Sequence, residues 1–253
     1  MYLQKRWQHG DVIEQTCYTN GRFGQKDAEY IRKGGATPLE QLKWQEKNNI
    51  RKVWRLLDDN FSHGDFWVTF TFRREYRPED NEEAKKIIQK FLKSLRRLYR
   101  RNNKELKYIM SCGRGERGGI HFHMVMNKFP HQEKIMELWN RYANHGEYSV
   151  TRFTPLEKTR NYHKLAAYII KNGREDFGRI DKVFGKRFSY STNLVIKPVK
   201  AKKIHARTWS RKEKQIPGYY ICKDLSHEGI DIAGYPYRYT VYIKLEPGRK
   251  LSE

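Results

Sequence analysis

Apolar residues along this chain switch between two periods, and the switch points mark its elements. In FWVTFTF (66–72) they alternate: Phe66, Val68, Phe70 and Phe72 face one way, Trp67, Thr69 and Thr71 the other, as in a strand with one buried face. GGIHFHMVMN (118–127) repeats the pattern, with Ile120, Phe122, Met124 and Met126 on the core side and His121, His123 and Val125 opposite. LKYIMSC (106–112) pairs with it across the turn GRGERGG, and YSVTRF (148–153) and NLVIKP (193–198) read as further strands. Between them the period lengthens to that of a helix. TPLE opens a helix that runs to about Leu57, with Thr37 as cap, Pro38 in the first turn and Glu40 closing a capping box. After Pro78 a helix spans 79–101, its stripe built from Ile87, Ile88, Phe91, Leu92, Leu95, Leu98 and Tyr99. Shorter helices are predicted over 131–142 and about 156–171, and NGREDFGRIDKVFGKRF (172–188) reads as a mobile stretch.

The order strand, helix, two strands, helix, strand, helix, strand predicts an α+β fold. It calls for a ferredoxin/RRM-like antiparallel sheet with helices packed mainly on one face. Residues 1–64 are read as a basic N-terminal extension with one helix, since the first 36 show no clear period. The main domain is placed at 65–200. A β-rich C-terminal extension, 201–253, carries YYICKD and the alternating YRYTVYIKL.

Charge narrows the partners. The 253 residues hold 52 Lys and Arg against 29 Asp and Glu, a formal charge of +23, which points to a polyanion. The cations are interleaved with 17 Tyr, 12 Phe and 6 Trp, a mixture suited to unpaired bases that stack on rings while phosphates meet Lys and Arg. The basic side of the 79–101 helix, Lys85 to Arg101, is either a solvated face or a DNA track. Three scattered cysteines without a CxxC pair exclude a zinc knuckle and a disulfide framework and fit a reducing cytosol. No apolar run nears the roughly 20 residues of a membrane span, and the N-terminus lacks a signal core, so a soluble, intracellular protein is expected.

Two constellations carry chemistry. His121 and His123 share one face of a strand and offer neutral imidazoles to a divalent ion; alternatively they are satisfied or exposed histidines. In NYHKLAAYIIKN, 100° steps place Tyr162, Leu165, Ala166, Ile169 and Ile170 on the apolar side. Lys164, Tyr168 and Lys171 fall opposite. Tyr168 therefore leaves the core beside two cations, where it is either a rim tyrosine or a nucleophile. A phenol ionises well above neutrality, so nucleophilic use needs positive charge nearby. Histidines and tyrosine together suit phosphoryl transfer through a phosphotyrosine. The turn formally contains GxGxxG at Gly113, Gly115 and Gly118, but it joins two strands and so lacks the helix that a dinucleotide site needs. Arg114 and Arg117 in that turn either contact a phosphate or decorate a flexible hairpin. No GxxxxGK[ST] is present, which excludes a nucleotide-driven motor in this chain.

HFH (121–123) resembles the His-hydrophobic-His signature of the HUH endonuclease superfamily, and YIIK (168–171) resembles the Tyr-x-x-Lys motif of its replication initiators. FWVTFTF is similar to their first motif strand. Histidines preceding tyrosine is the order of the rolling-circle replication-associated proteins of bacterial plasmids and phages, and the similarity covers about residues 60–172. The resemblance implies strand-specific nicking and rejoining of a single-stranded DNA origin. His121 and His123 would hold Mg²⁺ or Mn²⁺, Tyr168 would be the nucleophile, and Lys171 its electrostatic partner. Lys164 is a further candidate for phosphate contact. The family's acidic third ligand is missing from the end of the preceding strand, where Cys112 and Gly113 stand; Glu116 is the nearest replacement, or else an exposed turn residue. A host helicase and polymerase and a cytoplasmic site of action in a bacterial cell are implied. The alternatives are an HUH-type single-strand transposase and a non-catalytic single-stranded nucleic-acid binder.

Overall fold

The computed structural model describes residues 2–19, 38–115, 118–149, 151–159, 161–178, 182–206, 213–230 and 235–245. The chain opens with β1 (Tyr2–His9) and β2 (Val12–Tyr18), followed by α1 (Pro38–Asn60). Next come β3 (Phe66–Thr71), α2 (Asn81–Arg101), β4 (Tyr108–Arg114), β5 (Ile120–Met126) and α3 (Gln132–Ala143). β6 (Arg152–Pro155), α4 (His163–Phe177) and β7 (Ser189–Tyr190) complete the central part; β8 (Lys202–Ile204), β9 (Tyr219–Ile221), β10 (His227–Ile230) and β11 (Pro236–Lys244) form the tail. The chain divides into two compact units, residues 48–195 and residues 1–47 with 196–253, and the boundary falls inside α1. Among the described residues no helix is long and apolar enough to cross a membrane.

The central unit is the predicted α+β fold with an antiparallel sheet, in the order β6-β3-β5-β4-β7. Its core is the face read from the alternation: Val68, Phe70, Phe122, Met124 and Met126 are fully buried with Ile88, Phe91, Leu95 and Tyr99 of α2 and Ile135 and Trp139 of α3. Burying that many large apolar side chains, each worth roughly 1.5–3 kcal/mol, holds the two helices on one side. α2 starts where Asp80 accepts a hydrogen bond from the Glu83 backbone N–H, satisfying an orphan donor of the first turn. The expected cap of α1, Thr37, and the Glu40 side chain lie outside the described residues.

The opposite face is also covered. α4 packs on β4 there, burying Ala166, Ile169 and Ile170 together with Ile109 and Val125, all outside the α2–α3 core. Asp58 near the end of α1 accepts the Tyr162 backbone N–H, and Trp54 meets His163 edge-on at 4.8 Å, which fixes the start of α4. Two boundaries differ from the sequence reading. The fourth strand runs later, to Pro155, and α4 begins at His163 rather than near Leu156, continuing through Gly173 into the stretch read as mobile. NLVIKP is not a strand; the short pairing to β4 comes from Ser189 and Tyr190 instead.

The other unit is a second sheet, ordered β10-β11-β2-β1-β8 with β9 paired to β11. The N-terminal residues that show no clear period form the β1–β2 hairpin, which turns at Gly10 with a positive φ of 50°. Both terminal extensions thus build one sheet. A buried carboxylate, Glu14, sits between His9 at 2.8 Å and the donating Tyr239 hydroxyl.

Candidate functional site

Strand register assembles the site. In β5, His123 lies across from Thr69 of β3 and Ser111 of β4, and His121 lies across from Thr71 and Gly113. Because Phe70, Phe122 and Met124 take the core side, period-2 alternation puts these polar residues together on the α4 face. The two imidazole rings are 4.7 Å apart, nearly perpendicular. Gly113 makes room for them: a Cβ there would come within 2.4 Å of His121 Nε2. Gly173 does the same for α4, since its Cβ would meet the Arg187 carbonyl oxygen at 2.0 Å and Ser111 Cβ at 3.4 Å. That close approach lays α4 against β4 and carries Tyr168 over the histidines.

Tyr168 is 47% exposed, and its hydroxyl makes no hydrogen bond among the described residues. Its ring stands edge-on to His123 at 5.5 Å and to Trp67 at 5.5 Å, while Trp67 stacks flat on His123 at 5.1 Å. Tyrosine, tryptophan and the inner histidine therefore hold one another by ring contacts alone, leaving the phenol oxygen free to meet a ligand.

Burial, then the neighbouring His121, pushes the His123 pKa down to about 4, because a charged imidazole is poorly solvated there. At neutral pH the ring is uncharged and able to ligate. Its Nδ1 lies 3.0 Å from Thr69 Oγ1, whereas Nε2 is buried with no hydrogen bond among the described residues. When Nδ1–H donates to the threonine oxygen, Nε2 presents a lone pair, the arrangement found behind metal-bound histidines. Ser111 Oγ, directly across from His123, is likewise buried without a partner among the described residues. These orphaned atoms fit an ion held between the imidazoles. Among the described residues no group of three His, Cys, Asp or Glu is positioned to hold a metal, so protein ligation there stops at two nitrogens.

The remaining candidates separate. Lys164 and Lys171 are exposed on α4, one turn before and one turn after Tyr168. Arg114, a candidate phosphate contact in the sequence, is committed elsewhere. Its guanidinium donates to Asp176 Oδ1 at 2.7 and 3.1 Å and to Asn81 Oδ1 at 2.7 Å, and the side chain is 14% exposed. A buried Asp176, which also accepts the Val183 backbone N–H, attracts it more strongly than solvent does, and the pair braces the end of α4 against β4. Glu116 and Arg117 lie outside the described residues. Sequence reasoning places Trp67 and Thr69 on the outward face without a role, and leaves Gly113 and Asp176 aside. Alternation supplies their direction; only the β3–β5–β4 order shows that they surround His123.

Residues 65–174 match the family described as Replication-associated protein ORF2, a span that contains the paired histidines, Trp67, Thr69, Tyr168 and Lys171. No curated protein and no solved structure matches the chain.

Proposed function

Since this chain carries a replication-associated domain of the ORF2 family over residues 65–174, we propose that it nicks and rejoins single-stranded DNA through Tyr168 to start rolling-circle replication. The observation that carries the proposal is the phenol of Tyr168 standing over the His121–His123 face, ring to ring at 5.5 Å from His123.

The Tyr168 oxygen attacks a backbone phosphorus in line with the 3′ oxygen. The Oη–P bond forms, the P–O3′ bond breaks, the phenol proton passes to water, and the departing 3′ oxygen takes up a proton. The products are a 5′-phosphotyrosine and a free 3′ hydroxyl, and attack by a 3′ hydroxyl on the phosphotyrosine reverses the step and rejoins the strand. His121 and His123 would hold Mg²⁺ or Mn²⁺, which supplies charge neutralisation at a non-bridging phosphate oxygen. Thr69 fixes the His123 ring, Trp67 fixes both His123 and Tyr168, and Lys171 and Lys164 attract the backbone on either side of the nucleophile. With no nucleotide-driven motor motif in the sequence, strand separation and extension of the 3′ hydroxyl fall to a host helicase and polymerase.

Incubating the protein with a random single-stranded library and Mn²⁺ tests the reading. Cleavage at a preferred sequence, lost in Tyr168→Phe and in His121→Ala, supports it. Tight binding without any strand scission makes the protein a non-catalytic single-strand binder and overturns the reading. Scission confined to hairpin ends of a mobile element would assign the same chemistry to transposition.

A further inference from the structure

The site above leaves the most basic part of the central unit without a task. On the sheet face opposite the histidines, α2 and α3 pack together, and the groove between them, about 410 Å³, is lined by Arg97, Arg101, Lys134 and Arg141 against one carboxylate, Glu137. All four cations are exposed, and none of their side chains has an ion pair or hydrogen bond among the described residues. Elsewhere in the same unit cations are matched: Lys85 pairs with Glu82, Arg73 with Glu147 and Arg114 with Asp176. On the other flank of α2, Arg96 and Arg100 line a second depression beside Tyr190 and Ser191.

Helix stability does not account for the cluster. Arg101 lies in the last turn of α2, where a cation complements the helix dipole. Lys134 lies in the first turn of α3, the end at which the dipole repels a cation, and it faces the same groove. Four like charges gathered in one concavity raise the local potential and favour an anion with several charges.

The lining also distinguishes among nucleic acids. Single-strand binders present flat rings on which unpaired bases stack. Here the one aromatic, Tyr142, is packed against the core and its hydroxyl is hydrogen-bonded to Ser94 at 2.7 Å; Leu98 and Leu138 are packed against the core as well. The groove offers cations to phosphates and nothing to bases, which is what a closed duplex presents. Free aromatic surface lies instead beside Tyr168, on the opposite face.

We propose that the α2–α3 groove binds the phosphate backbone of double-stranded DNA, holding the duplex that borders the strand handled at Tyr168. The positioning role rests on the nicking reading; duplex binding itself does not. The test is fluorescence anisotropy of a blunt 20-base-pair DNA in EDTA, titrated with the full chain at several salt concentrations. Neutralising the groove (R97Q, R101Q, K134Q and R141Q together) is expected to weaken duplex binding on the order of 10²-fold or more. It should also flatten the slope of log affinity against log salt by about 3.6, at 0.9 per lost phosphate contact. A control with four other exposed lysines neutralised (K128Q, K158Q, K200Q, K202Q) should lose far less, and 20-nucleotide single-strand affinity should change less than threefold in the groove variant. Circular dichroism melting confirms that the quadruple variant folds; should it not, R97Q and R101Q singly are each expected to remove about 0.9 from the slope. Equal losses in groove and control variants, or equal losses on duplex and single strand, overturn the proposal. Because EDTA prevents cleavage, a protein that never nicks DNA still passes or fails this test on its own.

Discussion

Replacing Gly113 with alanine should separate activity from stability. The new Cβ would stand 2.4 Å from His121 Nε2, about 1 Å inside the closest ordinary contact of 3.4 Å. The obstacle is the tip of a side chain, so the imidazole swings aside by roughly that ångström rather than forcing the strand apart. A misplacement of about 1 Å at a reacting centre costs on the order of 10²-fold in rate. Stability moves the other way. Gly113 sits in regular β4, and exchanging glycine for alanine in a compatible conformation restricts the unfolded chain, worth about 0.4–1 kcal/mol in favour of the fold. Single-turnover cleavage of a labelled oligonucleotide with Mn²⁺, run beside urea denaturation, reads both quantities. Cleavage within threefold of the parent rate refutes the claim that the His121 ring position, and the bare strand beneath it, belong to the reaction.

Other perturbations test neighbouring links. Thr69→Val keeps the shape but deletes the partner of His123 Nδ1, so Mn²⁺ affinity by calorimetry should fall about 10–100-fold with little change in fold. Tyr168→Phe should leave the thermal midpoint unchanged, since the hydroxyl has no hydrogen bond among the described residues, while strand cleavage disappears. Gly173→Ala brings a Cβ against the Arg187 backbone carbonyl, so urea denaturation should show a loss of about 1–3 kcal/mol. The His123 pKa of about 4 lies below the roughly 6.5 of an unfolded histidine, so between these values the unfolded chain binds the proton more readily. Its contribution is complete above pH 6.5 and is lost as the pH falls through 4, by at most about 3 kcal/mol. Urea midpoints in EDTA from pH 4 to 8 should show that difference shrinking in His123→Asn.

Much of the catalytic face is legible in the sequence because a strand's period of two leaves few choices. Once Phe122 and Met124 are assigned to a core, His121 and His123 must share the other side, and the same logic turns Trp67 and Thr69 outward. Helical steps likewise expose Tyr168 while burying Ile169 and Ile170. Strand order is what the local pattern withholds: Thr69 meets His123 because β3 and β4 flank β5, a long-range fact. The late start of α4 is hidden from the sequence because its anchor is Asp58, more than a hundred residues upstream. Arg114 looks free in a glycine-rich turn, and only a buried Asp176 from α4 claims it. The β1–β2 hairpin is concealed for a similar reason. Its buried positions include His9, Glu14 and Gln15, polar residues satisfied by partners on neighbouring strands, so hydropathy shows no alternation.

The central claim is a covalent bond between one phenol and a DNA 5′ phosphate. Tandem mass spectrometry of the tryptic peptide 165–171, LAAYIIK, after reaction with single-stranded DNA and Mn²⁺ and nuclease trimming, reads it directly. A nucleotide-phosphate adduct on Tyr168, absent when Mn²⁺ is omitted, is the predicted result. Strand cleavage accompanied by an unmodified Tyr168, or by an adduct on another residue, would contradict it.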